Sequence, residues 1–301
     1  MVSFKQLTYA LAVDQTRHFN KAAELCSVSQ SALSTAITEL EKQLGIQIFE
    51  RDTRKVLVTP LGKEILKKAR GIKIQVDDLC LLAQSRKKPL SSSIKIGVIP
   101  TIAPYLLPRV LPALHKEYPD CKLRIIEEQS HELIDRVRNG DIDTAILALP
   151  YTIKGLLALE FWHEDFYLIA HESDPRSQLT EINSDKLKDA GLMLLADGHC
   201  LKDHALAACQ FKPNEIDKTF TSASLNTLVQ MVAGRMGSTL VPEMALKNLL
   251  SISPELKAVH IGEPGPHRIL AFIIRPNYTG TKNIELLKTL FSEQLANHRK
   301  Q

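Results

Sequence analysis

"FNKAAELCSVSQSALSTAITELEKQLGIQIFERDTRKVLVTPLG", Phe19 to Gly62, decides how the rest of the chain is read. Within it Ser29 sits where a helix cap belongs, its hydroxyl able to take a free N–H of the turn that follows. Behind it Leu33, Ile37, Leu40 and Leu44 recur at steps of 4, 3 and 4, the period of one helix face. Gly45 then supplies the left-handed residue at which helices end. Upstream, Ala22, Ala23, Leu25 and Cys26 predict a short helix starting after Asn20 as its cap, and Phe4, Leu7, Leu11 and Ala12 a first helix over Phe4–Gln15. Only the polar stretch "SVSQ" separates the second and third helices, the layout of a helix-turn-helix. Downstream, "IQIFERDTRKVLVTP" alternates apolar and polar residues around a charged tip and reads as a hairpin wing.

The exposed side chains at the start of the third helix are Gln30, Ser31, Ser34 and Thr35. Gln pairs bidentately with adenine in a major groove, and hydroxyls reach bases or phosphates. The wing adds Arg51, Arg54 and Lys55, suited to phosphates or a narrow minor groove. Charge agrees with this division of labour. Residues 1–89 hold 15 Lys/Arg against 9 Asp/Glu, whereas the remainder holds 23 against 25. A basic head on a slightly acidic body points to a polyanion that meets the head alone.

Working outward, Thr59-Pro60 opens a long helix, Pro occupying the first helical position. Its apolar residues Leu61, Ile65, Ala69, Ile72, Val76, Leu79 and Ala83 step by 4, 4, 3, 4, 3 and 4, close to a heptad repeat. That stripe is expected to be a dimer seam, on a helix reaching as far as Lys88. "KKPLSSS" then makes a hinge. Beyond it, "SIKIGVI", "KLRIIEE", "TAILAL", "FYLIA", "LMLLA", "STLV" and "RILAFIIRP" read as strands alternating with helices, an open and largely parallel sheet. The roughly 210 residues available exceed what one such sheet needs, so two lobes are expected.

No apolar run approaches a membrane span, and "MVSFKQL" lacks the apolar core of a signal peptide, so a cytoplasmic protein is expected. Five cysteines without a CxxC argue against a disulfide framework. Two of them, Cys200 and Cys209, flank a helical pattern in "DGHCLKDHALAAC". On one continuous helix they would stand roughly 13 Å apart along the axis and on opposite faces. His199, Cys200, His204 and Cys209 are all possible zinc ligands, but their spacing matches no common structural zinc pattern. No GxSxG, HExxH or P-loop appears, which leaves no enzyme constellation outside the cysteines. Cys26, Cys80 and Cys121 read as structural.

The stretch quoted at the outset closely resembles the head of LysR-type transcriptional regulators. "AAE", "SQSALS", "LEKQLG", "IFER" and "TPLG" stand in that family's order and spacing, and "GDIDTAIL" is similar to the strand entering its first lobe. The resemblance implies a winged helix-turn-helix over residues 1–58 and a dimerising linker helix and hinge over 59–90. It also implies a two-lobed α/β effector domain over 91–301, resembling type 2 periplasmic binding proteins. Lobe I is expected at about 91–163 and 268–301, lobe II at about 164–267. A dimer of dimers, promoter DNA and RNA polymerase follow as partners.

"GHCLKDHALAAC" and "IGVIPTIAPYLLP" are also similar to the peroxide-sensing members of that family. This implies that Cys200 is the peroxidatic residue and Cys209 the resolving one. Thr101 and Ser130 would hold hydrogen peroxide, His199 and Lys202 would favour the thiolate, and Asp203 would orient Lys202. The sensor thiol would need a depressed pKa, and closing the pair would require the intervening helix to refold. No metal or cofactor is implied, and thioredoxin or glutaredoxin would be the reductant. Two other readings stay open: a LysR-type regulator of a small metabolite bound between the lobes, and a thiol peroxidase fused to a DNA-binding head.

Overall fold

The computed structural model describes the 301-residue chain except for residues 52–55, 85–87, 188–190, 210–220, 223, 252 and 300–301. It divides into two compact units, Met1–Arg86 and Lys87–Gln301. The first runs α1 (Phe4–Thr16), α2 (Phe19–Leu25), α3 (Gln30–Leu44), β1 (Phe49–Arg51), β2 (Val56–Val58) and α4 (Pro60–Gln84).

Ser29 Oγ accepts from Ala32 N at 3.2 Å, and Gly45 closes α3 at φ +67°. The second helix begins two residues earlier than its sequence predicts. His18, not Asn20, is the cap: its backbone is extended and its ring Nδ1 accepts from Asn20 N at 3.2 Å. Leu33, Ile37 and Leu40 of α3 are buried with Leu7, Val13, Ile48 and Phe49 in one core. The wing strands pair antiparallel, Phe49 opposite Val58. Their root is held by Glu41, whose Oε1 accepts from Ile48 N at 2.7 Å and Phe49 N at 3.0 Å.

Thr59 Oγ1 accepts from Gly62 N at 2.9 Å and so caps α4. The helix is described from Pro60 to Gln84, and residues 85–87 of the expected reach to Lys88 lie outside the described residues. Its apolar residues split between two faces. Leu66 and Ala69 are buried in the head core, and Arg70 ion-pairs with Asp14 of α1 at 2.9 Å. Leu61, Ile72, Leu79 and Leu82 stay exposed. Cys80 is exposed as well, so it does no packing work within this chain.

The second unit continues with β3 (Ser93–Val98), α5 (Ala103–Glu117), β4 (Lys122–Glu127), α6 (Ser130–Asn139), β5 (Thr144–Leu149) and β6 (Leu157–Glu164). Next come β7 (Phe166–His171), β8 (Glu181–Ile182), β9 (Leu192–Leu195), α7 (Cys200–Ala208), β10 (Thr221–Ser222) and α8 (Leu225–Ala233). It closes with β11 (Ser238–Pro242), α9 (Leu246–Leu250), β12 (Leu256–Ile261), β13 (Arg268–Ile274) and α10 (Thr281–Arg299).

Two sheets form, in orders β4-β3-β5-β13-β6 and β10-β9-β11-β7-β12-β8. They are mixed, which corrects the largely parallel expectation. The chain passes from the first sheet to the second between β6 and β7 and returns between β12 and β13. The strands at those crossings, β6, β7, β12 and β13, make the antiparallel pairs, while β3, β4 and β5 run parallel. The result is a two-lobed α/β unit of the periplasmic-binding-protein kind. None of the described helices is long and apolar enough to cross a membrane.

Candidate functional site

Cys200 is the first residue of α7 and Ser130 the first of α6, while Thr101 lies just ahead of α5. Helix starts carry partial positive charge and free N–H groups, which favour an anion. All three side chains are buried: Cys200 and Thr101 are each 3% exposed and Ser130 1%. The Ser130 side chain and the Ala148 backbone N–H both favour the ionised form of the Cys200 sulfur.

Sequence reasoning missed the positive charge of the site. Arg268, the first residue of β13, is wholly buried and lowers the Cys200 pKa. Its Nε donates to Glu164 Oε1 at 2.6 Å and its Nη2 to Thr101 O at 3.4 Å. Glu164 in turn accepts from Met244 N at 2.9 Å. The only signal for Arg268 in the sequence is a charged residue opening a strongly apolar strand, which ordinarily reads as a solvated strand end.

The residues expected to supply positive charge do not. Lys202 Nζ binds Asp197 Oδ1 at 2.6 Å in the preceding loop, and is not the partner of Asp203. His199 occupies the cap position of α7 without a side-chain cap bond, and burial lowers its pKa, so it is neutral at pH 7. Asp203 is exposed and opposes the thiolate. The thiol itself is pushed up, not down. Burial dominates, and Ser130, Arg268 and the Ala148 N–H offset it only in part.

His204, one turn along α7 from Cys200, is 3% exposed. Its Nε2 lies 2.8 Å from Pro150 O. Among the described residues, His204 Nδ1, Thr101 Oγ1, Ser130 Oγ and Arg268 Nη1 are buried with no hydrogen-bond partner. An unsatisfied buried polar group costs about 1–3 kcal/mol. A cluster offering hydroxyls, a guanidinium N–H and an imidazole nitrogen beside one sulfur suits a small molecule that both donates and accepts.

Cys209 is the C-cap of α7, 1% exposed, and burial pushes its thiol up to about 12. All five cysteines are free. With α7 intact from Cys200 to Ala208, the two cysteines stand about 13 Å apart along the axis, while a disulfide needs Cα atoms within about 7 Å. No group of His, Cys, Asp and Glu that could hold a metal occurs among the described residues. A cavity of about 230 Å³ is lined by Thr101, Tyr105, Glu127, Ser224 and Asn226 from both lobes.

In the head, Gln30, Ser31 and Thr35 are exposed at the start of α3 and Ser34 is half-buried. Ser31 Oγ lies 3.1 Å from the capping Ser29 Oγ. Arg54 and Lys55 lie outside the described residues, as does the side chain of Arg51.

Residues 4–63 match the bacterial regulatory helix-turn-helix family of lysR type, and residues 87–296 the LysR substrate-binding domain. The HTH-type transcriptional regulator EstR of Acinetobacter baylyi is 38% identical over 91% of this chain and 90% of its own. A probable hydrogen peroxide-inducible genes activator of Streptomyces viridosporus is 36% identical over 97% and 94%. A full-length OxyR variant from Pseudomonas aeruginosa superposes with a TM-score of 0.80 at 33% identity, covering 97% of this chain and 98% of that one. A reading head, a long linker helix and a two-lobed effector unit, matched along nearly the whole chain, make this protein a member of the LysR family of bacterial transcriptional regulators.

Proposed function

We propose that the chain is a cytoplasmic, peroxide-responsive transcription factor of bacterial antioxidant genes, in which hydrogen peroxide oxidises Cys200 and a Cys200–Cys209 disulfide resets the regulatory unit. The observation that carries this reading is a set of buried polar atoms of Thr101, Ser130, His204 and Arg268 with no hydrogen-bond partner among the described residues, in the surroundings of a Cys200 thiol whose charged form Ser130 and Arg268 favour. Hydrogen peroxide is small, and each of its oxygens both donates and accepts. The Streptomyces relative, named as hydrogen peroxide-inducible, supports the same ligand.

Thr101 and Ser130 hold the peroxide, and Arg268 supplies the charge assigned from sequence to His199 and Lys202. Lys202 and Asp197 fasten the loop ahead of α7 instead. Oxidation gives a sulfenic acid, which Cys209 condenses with. That bridge is incompatible with an intact α7, so oxidation selects another backbone for the segment. Gln30, Ser31, Ser34, Thr35, Arg51, Arg54 and Lys55 bind promoter DNA, and the exposed stripe of α4 pairs two copies, which assemble as a dimer of dimers. RNA polymerase reads the change, and thioredoxin or glutaredoxin reverses it.

The deciding experiment is a thiol count and promoter footprint before and after one equivalent of peroxide, on wild type and Cys200→Ser. Wild type is expected to lose two thiols, held in a Cys200–Cys209 peptide, and to shift its footprint. Cys200→Ser is expected to bind DNA in the reduced manner and not respond. Equal responses from both proteins favour the second reading, a regulator of a small metabolite in the cavity lined by Tyr105, Glu127 and Asn226. Repeated turnover with a thiol reductant, at a rate useful for scavenging, would mark a thiol peroxidase instead.

A further inference from the structure

Taking Cys200 as the peroxide-reactive thiol leaves one requirement unmet. Only a thiolate attacks peroxide, yet this sulfur sits where desolvation favours the protonated form. Arg268 attracts the thiolate, but a guanidinium accepts no proton. Asp203 faces solvent. Tyr151, close enough for the Cys200 charge to raise its own pKa, stays protonated.

His204 meets the requirement on geometry. Side chains four apart on a helix are neighbours, which puts His204 beside Cys200 on α7. Both also point at the same end of β5. The N–H of Ala148 favours the charged form of Cys200, and His204 Nε2 lies 2.8 Å from the carbonyl of Pro150, two residues on. That carbonyl can only accept, so the hydrogen sits on Nε2. With the ring neutral, Nδ1 is left as a bare acceptor, and it is the nitrogen that has no partner among the described residues. Burial, with Arg268 beside it, keeps the imidazole neutral at pH 7, against smaller opposing effects of the Pro150 carbonyl and Asp203.

We propose that His204 is the general base of the Cys200 site, its Nδ1 taking the thiol proton and handing it to the departing oxygen of the peroxide. This rests on the peroxide reading above. The S–H proton moves to Nδ1, and the sulfur electron pair forms an S–O bond as the O–O bond breaks. The leaving hydroxide takes the proton from Nδ1 and departs as water. Cys200 ends as a sulfenic acid, oxidised by two electrons. One hydrogen peroxide is reduced to one water, and His204 returns to neutral. The charged and titratable groups whose charge acts on the pair are Arg268, Tyr151 and the solvent-facing Asp203, and none of them serves as the base.

The test is the second-order rate of Cys200 sulfenate formation with hydrogen peroxide, trapped with dimedone, in the full chain carrying Cys209→Ser so that the product accumulates. With a neutral base one helical turn away, the rate is expected to be flat between about pH 7 and 9. His204→Gln, which can still donate to Pro150 O but is no base, should be slower by about 100-fold at pH 7, and its rate should climb about tenfold per pH unit as free thiolate appears. A His204→Gln protein with the parental rate and a flat profile would overturn the proposal while leaving the peroxide reading intact. Should that variant not fold, the parent decides alone: a rate already climbing tenfold per unit overturns the proposal. A parent giving no Cys200 sulfenate at any pH overturns the peroxide reading and, with it, the role of His204.

Discussion

Arg268 and Glu164 face each other across the β13–β6 ladder where β6 leaves lobe I and β13 re-enters it, and neither side chain has any solvent exposure. The pair sits at the joint between the lobes and, through Arg268, beside Cys200. Removing one partner strands a buried charge, which costs about 3–5 kcal/mol. Arg268→Met should therefore destabilise the protein by that amount in urea. Arg268→Met with Glu164→Gln should recover most of the loss yet remain slow toward peroxide, because the thiolate has lost its counter-charge. A double variant as reactive as wild type would remove Arg268 from the chemistry.

Cys209 offers a prediction in the reduced protein. Its thiol is raised from 9.0 to about 12, so near neutral pH its thiolate is about a thousandfold scarcer than that of a free cysteine. Iodoacetamide should modify exposed Cys80 first and Cys209 far more slowly, as mass spectrometry of timed samples would show. The linkage sign follows from the raised value. The fold favours the neutral thiol, so this contribution to stability is complete below about pH 9 and declines as pH rises toward 12. Alkylation of Cys209 at the rate of Cys80 would contradict its burial.

Gly198 stands two residues ahead of Cys200 at φ +95°, and a Cβ there would fall 2.3 Å from Gln129 Oε1. Gln129 caps α6 through a capping box with Glu132, directly before Ser130. Gly198→Ala should cost about 1–3 kcal/mol in backbone strain and push Gln129 off the helix start that carries the Ser130 hydroxyl. Slower sulfenate formation, alongside the lower midpoint in denaturant, is the expected pair of results. A variant changed in neither respect would mean that the Gln129 side chain yields freely.

The exposed edge of α4 carries Leu61, Ile72, Leu79 and Leu82. Ile72→Asp puts a charge in the middle of that edge at a cost of several kcal/mol to any apolar seam. Sedimentation should show a smaller assembly than wild type, with the head still folded by circular dichroism. An unchanged assembly would place the subunit contact elsewhere.

Much of the architecture was legible because local patterns and tertiary packing agree. Ser29 and Gly45 bound α3 as cap chemistry requires, and the strands with dense Ile, Leu and Val stood out. "LALEFWHE" and "LKAVHI", which form β6 and β12, do not stand out as strands because polar residues break their alternation. With them went the antiparallel half of each sheet. At the site, the positions near the sulfur could be read from a motif, but the charges could not. Lys202 looked like the cation because it is adjacent in sequence, although its partner Asp197 holds it in the loop. Arg268 comes from a strand 68 residues away, and only tertiary folding shows that it is buried. His204 read as a possible metal ligand until the Pro150 carbonyl fixed which nitrogen carries the hydrogen.

On the proposed peroxide reading, the burial of both sulfurs, 3% and 1% exposed, would also act as a sieve. It would admit an oxidant little larger than two waters and keep a bulky organic hydroperoxide, glutathione or the active site of a reductase protein from docking on either sulfur. Entry would thus be filtered by size in the reduced fold, and exit governed by another conformation altogether. A protein reductant would act only on a rearranged segment that presents its bridge to solvent. The duration of the signal would then be set by how long that segment stays open, independently of how fast peroxide starts it.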